Sequence, residues 1–271
     1  MACLEGKIFV IQGAPHSISF FTMEDNYSSP NIKRDNRFRR LMDIVACHSI
    51  SMLYILDEAC IWQLDKKNII SKYVDIDISP DIDISRAFST MSISGRDLLV
   101  TSSDGLRMYR YKSFGRPSPV EIRLPVGLLT TKPWHALEVD GWYVIAHIEG
   151  AKFHRVSKFE ASQLTRAKLE VFTYGKEMGE DIDQLSNPVY VAVEPKHGHI
   201  FVADHENRRV VVLDRELKRV FTISDLPSGC YPNRLCYLEK SSELLVGMTD
   251  GYVVVYKFCR YVLHCKPTVF Y

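Results

Sequence analysis

The chain has little of what marks a membrane protein, a disulfide scaffold or a familiar catalytic centre. No apolar run reaches the ~18 residues needed to span a bilayer. Met1 is followed by Ala-Cys-Leu-Glu-Gly-Lys, which places charges where a secretory signal needs an unbroken apolar stretch. The seven cysteines, Cys3, Cys47, Cys60, Cys230, Cys236, Cys259 and Cys265, are odd in number and contain no Cys-x-x-Cys pair. They fit reduced, mostly buried thiols in the cytoplasm better than a disulfide framework. A formal net charge of +1 gives no global attraction to nucleic acid or to acidic membranes, so an electrostatic partner must be met by a local patch. Gly-x-Ser-x-Gly, a phosphate loop and His-Glu-x-x-His are all missing, and no cofactor is expected.

What the chain does have is strand-forming sequence throughout. Its 271 residues are 46% hydrophobic and 25% charged, the balance of a globular protein. Runs rich in Val, Ile, Tyr and Phe are broken by short clusters of Asp, Asn, Gly and Ser, with no sustained helical period. Six hairpins align by eye: 7–13 with 17–22, 52–56 with 60–64, 97–101 with 106–111, 142–147 with 152–157, 199–203 with 209–213, and 243–247 with 252–258. They recur about every 45 residues, the spacing of four-stranded propeller blades.

A short apolar segment precedes all but the first hairpin, and a more polar strand follows most of them. The reading is an all-β, six-bladed β-propeller of four-stranded antiparallel blades. It is a single domain with blades at about 1–38, 39–80, 86–125, 132–175, 186–226 and 231–271. One twisted sheet cannot bury both faces alone, whereas radially arranged sheets bury each face against a neighbour. The β-prone ends at 1–4 and 261–271 are expected to meet in neighbouring or shared blades. The abrupt start is equally compatible with a longer natural chain. The polar stretches 26–38, 75–88 and 176–187 are expected to be loops.

The fifth unit carries a resemblance. Asn187-Pro188-Val189-Tyr190-Val191-Ala192-Val193-Glu194, then His199–Asp204, then Asn207, Arg209 and the apolar strand after it, resemble an NHL repeat. The second unit, with Asp43-Ile44-Val45-Ala46-Cys47, Leu53-Tyr54-Ile55-Leu56-Asp57 and Cys60-Ile61-Trp62-Gln63-Leu64, looks like a divergent copy. It keeps Asp57 but has Glu58-Ala59-Cys60 after it. Elsewhere the likeness fades to Asp104-Gly105 and Asp250-Gly251 turns. The resemblance implies the propeller fold and says little about function, since NHL propellers include binders of RNA on a basic face.

Several constellations invite a functional reading. Asp204, Asn207 and Arg209 are expected to be structural: Asp and Asn satisfy a tight turn, and Arg pairs with the carboxylate. Lys33-Arg34-Asp35-Asn36-Arg37-Phe38-Arg39-Arg40 is the most basic segment and surrounds one aromatic ring, a pattern suited to phosphates and a stacked base or to a solvated loop. Trp134 and His135 open an inner strand, where an aromatic rim can form an interaction hot spot. His197-Gly198-His199 spans a hairpin turn with no neighbouring Cys or third His, so no metal site is read there. The alternation Asp75-Ile76-Asp77-Ile78-Ser79-Pro80-Asp81-Ile82-Asp83-Ile84 lacks the spacing of a calcium loop and reads as an acid-guarded edge.

The expectation is a non-catalytic interaction scaffold, monomeric and away from membranes, whose loops present one face to a protein partner. The contact residues would be Trp134, His135, Arg37, Phe38, Arg39 and Arg40. The alternatives are RNA binding through a basic face, and a calcium-dependent lactonase or esterase built on residues such as Asp43, Glu138 and Asn233.

Overall fold

The computed structural model describes residues 1–13, 16–22, 31–58, 60–76, 90–101, 107–112, 119–122, 124–125, 128, 131–150, 152–163, 171–258 and 268–270. Its strands form six four-stranded sheets, each antiparallel and each a meander of strands consecutive in the chain. The protein is therefore all-β, made of propeller-type blades. Among the described residues no helix is long and apolar enough to cross a membrane. The chain divides into two compact units, Met1–Ile122 and Arg123–Tyr271.

The first unit holds three blades. Blade one is β1 (Ala2–Leu4), β2 (Lys7–Gln12), β3 (Ser17–Thr22) and β4 (Asn31–Arg34). Blade two is β5 (Leu41–Cys47), β6 (Met52–Asp57), β7 (Cys60–Leu64) and β8 (Ile70–Asp75). Blade three is β9 (Thr90–Ser94), β10 (Asp97–Thr101), β11 (Met108–Tyr111) and β12 (Pro119–Ile122). Side chains alternate between the faces of a strand, and the middle strands show what this demands. On β6, Leu53 and Ile55 join a core with Ile18 and Phe9 of blade one. Their neighbours Tyr54 and Leu56 join another with Met91 and Leu98 of blade three. A strand buried on both sides has no polar face, which is why these hairpins read as continuous apolar runs.

The second unit repeats the plan. Blade four is β13 (Lys132–Val139), β14 (Trp142–Glu149), β15 (Phe153–Glu160) and β16 (Val171–Tyr174). Blade five is β17 (Pro188–Glu194), β18 (His199–Asp204), β19 (Arg209–Leu213) and β20 (Arg219–Ile223). Blade six is β21 (Pro232–Leu238), β22 (Glu243–Met248), β23 (Val253–Lys257) and β24 (Thr268–Phe270). Ile200 and Val202 of β18 pack with Val144 and Val156 of blade four. Phe201 and Ala203 pack with Leu244 and Val254 of blade six.

Each hairpin aligned from the sequence is a hairpin of the fold, with ends displaced by three residues or fewer. One expectation is corrected. Asn31–Arg34 is the outer strand of blade one rather than loop. An outer strand needs backbone bonds on one side only, and Ile32 is left exposed, so no apolar pattern marks it. Of the two arrangements expected for the chain ends, a shared blade is not the one found, since β1 pairs within the first sheet and β24 within the sixth. The Asp104-Gly105 turn, Cys259, Cys265 and the acidic alternation beyond Ile76 lie outside the described residues.

The inner strands share a second device. In β5, β13, β17 and β21 the register with the next strand slips near the start, between Leu41 and Asp43, Pro133 and His135, Pro188 and Tyr190, and Pro232 and Arg234. Such a bulge adds one residue and turns the strand locally. It re-aims the residue that follows.

Phe201 is fully buried, stacks on Tyr237 with centroids 5.6 Å apart and meets the Phe258 ring edge-on. Phe201→Ala is expected to lower the unfolding free energy by about 3–5 kcal/mol in urea titrations. Val220→Ala, at an exposed outer-strand position, should change it by less than about 0.5 kcal/mol.

Candidate functional site

Each blade has a leading end, where its inner strand starts and its second and third strands turn. At the leading end of blade five the fully buried Asp204 organises the surroundings. Its Oδ1 accepts the Ser186 N–H at 2.6 Å, and its Oδ2 accepts Asn207 Nδ2 at 2.8 Å and Arg209 Nε at 2.6 Å. Burial raises the pKa of this carboxyl, while the Ser186 N–H, Asn207 and Arg209 act in the opposite direction.

Arg209 and Asn207 reach further than the turn. The guanidinium donates to the carbonyls of Glu180 (2.8 Å), Asp181 (3.1 Å) and Gln184 (2.8 Å), and Asn207 donates to the carbonyl of Gly179 at 2.8 Å. The Tyr174 hydroxyl donates to Ile182 O, and the Met178 N–H bonds Lys152 O. His154 Nδ1 accepts the Asn187 N–H at 2.7 Å. Burial lowers the pKa of that imidazole, which keeps the accepting nitrogen free of a proton. The segment begins at Gly175, with φ of +95°, where a Cβ would fall 2.4 Å from His154 O. Only glycine allows that approach.

The result is a loop of irregular backbone at 176–187 whose carbonyls are tied down from beneath. It holds two apolar side chains outward, Met178 at 53% and Ile182 at 62% exposure. Exposed Glu177, Glu180 and Asp181 surround them, and Glu177 pairs with Lys152 at 2.9 Å. Beside it lies a second, partly exposed cluster. His205 stacks on Tyr231 with centroids 5.0 Å apart, and Arg208 lies over the same ring while donating to its hydroxyl at 3.0 Å.

The basic segment sits at the leading end of blade two. Asp57 accepts the N–H groups of Arg39 (3.0 Å), Arg40 (2.7 Å) and Glu58 (2.7 Å), together with Trp62 Nε1 at 3.2 Å. Asp57 thus serves as Asp204 does, with the Trp62 indole in place of a guanidinium. Arg37 chelates Asp35 through Nε and a terminal nitrogen, donates to Ile70 O and covers the Trp62 ring. Phe38 is only 7% exposed and meets Trp62 edge-on. Its ring belongs to the core and is not offered to a partner, because the chain must seal the gap between blades one and two there. Arg39 and Arg40 are exposed.

Trp134 is the bulged residue of β13 and is half-buried, while His135 is 2% exposed. His135 stacks on Tyr190 with centroids 3.6 Å apart, and Arg234 lies 5.2 Å from the same ring. The residues following three successive bulges therefore form one stack across three inner strands. His135 Nδ1 also accepts the Val191 N–H at 3.3 Å. Asp43, its counterpart in blade two, accepts the Met91 N–H at 2.8 Å and the Ile44 N–H at 2.9 Å. The bulge aims a polar side chain at the backbone of the next inner strand. His135 is thus a strut between blades rather than a contact residue. Asp43 is equally committed to backbone bonds.

No family model matches the chain, and no curated protein matches it in sequence. Solved structures do match in shape. A nidogen/laminin complex aligns over 97% of this chain and 92% of its own, with a TM-score of 0.71 at 12% identity. The chain has the fold of a six-bladed β-propeller. A streptogramin B lyase covers 95% of this propeller and 82% of its own length, with a TM-score of 0.59 at 13% identity. An auxiliary nutrient-binding protein from Bacteroides ovatus covers 90% and 64% respectively, with a TM-score of 0.66 at 12% identity. Likenesses at this identity carry the fold and no chemistry.

Met178, Ile182, Tyr231 and Arg208 did not stand out in the sequence. The available signal was two apolar residues, four apart, inside an acidic stretch too polar to be a strand. Among the described residues one cluster has metal-ligating composition: Glu194, His197 and His199.

Removing the Arg209 guanidinium leaves the carboxylate of Asp204 buried with one fewer partner. Arg209→Met should lower the unfolding free energy by about 3–5 kcal/mol in chemical denaturation. A pH effect is expected from His147, which occupies in blade four the position of Asp204. Burial lowers its pKa to about 4, and its Nε2 lies 2.7 Å from Ser157 Oγ. The unfolded chain binds a proton near the ordinary value of 6.5 that the folded chain refuses. Stability is therefore full above that pH and falls as pH drops towards about 4, by up to about 3 kcal/mol. In urea melts between pH 7.5 and 5, His147→Asn should flatten this slope.

Proposed function

We propose that this propeller is a non-catalytic recognition platform, related in design to NHL propellers, that presents the loop at 176–187 to a protein partner. The observation that carries the reading is the pairing of a pinned backbone with outward apolar side chains. Arg209 and Asn207 hold four loop carbonyls, so Met178 and Ile182 can be buried by a partner with little loss of loop entropy. The exposed acids around them favour a partner surface that is basic around an apolar centre. Rigid scaffolds carrying exposed loops are well suited to binding. The NHL kinship rests on the Asp204, Asn207 and Arg209 constellation and its echo at Asp57. The described cysteines are free thiols, which supports a reducing, cytoplasmic setting.

The basic segment supports RNA binding less well. Phe38 is buried and Arg37 is engaged by Asp35, which leaves Arg34, Arg39 and Arg40 as exposed cations without an aromatic platform. A displayed library of short peptides, panned against the full chain, tests the proposal. Basic, apolar peptides should be enriched, and Met178→Asp combined with Ile182→Asp should weaken their binding at least tenfold without moving the thermal midpoint. Peptides indifferent to both substitutions would contradict the reading, as would metal-dependent turnover of a lactone or ester.

A further inference from the structure

We infer that the β17–β18 hairpin of blade five is a binding site for a divalent transition cation of the zinc class, held by Glu194, His197 and His199. The site is independent of the partner loop. β17 starts at Pro188, beside that loop, and ends at Glu194, about 20 Å further along at ~3.3 Å per residue.

The three side chains converge although only two of them are neighbours in sequence. One ligand atom from each lies within 4.8 Å of the others. Glu194 Oε2 is 3.1 Å from His197 Nδ1 and 3.3 Å from His199 Nδ1. A tetrahedral ion with bonds of about 2.0–2.1 Å separates its ligand atoms by about 3.3 Å. The carboxylate already stands from both imidazoles at that spacing.

The backbone sets this arrangement. Glu194 closes β17 with its side chain 2% exposed, its Oε1 accepting the Lys196 N–H at 2.8 Å and its Oε2 the His197 N–H at 2.8 Å. The hairpin turn then brings His197 back over the carboxylate, and His199, the first residue of β18, pairs directly with Glu194 across the ladder. Gly198 between them has φ of +76°, a conformation that lets the chain reverse within one residue. The His199 ring is braced edge-on by Phe258 at 5.3 Å. Both histidines are partly exposed, so the fourth ligand position faces solvent and would be filled by water.

Without an ion, protons on the Nδ1 atoms bridge to the carboxylate. When the ion binds, each Nδ1 proton is displaced, moving to Nε2 by tautomer exchange or passing to solvent, and the freed Nδ1 lone pair turns to the metal. Two imidazoles with one carboxylate select zinc, cobalt, nickel or copper over magnesium and calcium, which prefer all-oxygen shells. The opposing charge comes from Arg215, which donates to the His197 carbonyl at 3.2 Å. Its guanidinium lies behind the turn backbone at Gly198.

The test uses the full chain, metal-stripped and with reduced thiols. Zn2+ is titrated calorimetrically and Co2+ by visible absorption. One equivalent of Zn2+ should bind, raise the thermal midpoint, and give with Co2+ a spectrum free of thiolate charge-transfer bands. His197→Ala and Glu194→Gln should each weaken binding at least tenfold. His197→Gln, a milder change in an exposed turn, keeps the test valid if either of the others unfolds. The inference is overturned by absence of saturable Zn2+ binding, by unchanged affinity in His197→Ala or His197→Gln, or by a cobalt spectrum showing that cysteines hold the ion. Loss of peptide binding at the 176–187 loop would leave it untouched.

Discussion

Burial on both faces is the constraint from which the rest of this protein follows. A middle strand such as β6 or β18 has a neighbouring sheet on each side, so consecutive residues must be apolar in spite of pointing in opposite directions. Leu53 and Ile55 serve one core while Tyr54 and Leu56 serve the next. Polar groups are therefore driven to the two ends of each blade. There they either satisfy the backbone of the turns or remain free to meet something else.

The leading ends show how that selection works. In blades two to five the second-strand residue that pairs near the start of the inner strand is buried, and in three of them it anchors the incoming chain. Asp57 and Asp204 do so with a carboxylate that gathers backbone N–H groups. Thr101 does so through Thr90 Oγ1 at 2.6 Å, whereas His147 bonds the Ser157 hydroxyl of the third strand. The same position carries different chemistry from blade to blade. The Arg209 version extends furthest, because its guanidinium has donors left over after pairing with Asp204 and spends them on the loop at 176–187.

That variation explains what could be read from the sequence. The hairpins were legible since two-faced burial imposes a composition that no loop shares. Asp204, Asn207 and Arg209 were legible as a turn because their spacing is local. The outer strand Asn31–Arg34 was not, as an edge strand needs backbone bonds and no apolar face. The roles of Phe38 and His135 were misjudged because both stand at blade boundaries, where a basic segment or an inner-strand start looks exposed until the neighbouring blade is placed. Glu194 escaped notice beside His197 and His199 because its convergence depends on the reversal at Gly198 and on the ladder pairing of Glu194 with His199.

The functional account rests on the loop at 176–187 being rigid before any partner arrives, which distinguishes a presenting surface from a surface linker. Amide hydrogen exchange of the free chain measures this directly. The N–H groups of Met178, Gly179 and Gln184, bonded to Lys152 O, Leu185 O and Asp181 O, should exchange far more slowly than in an unstructured peptide of the same sequence. Exchange of these three amides at unstructured rates would contradict the account.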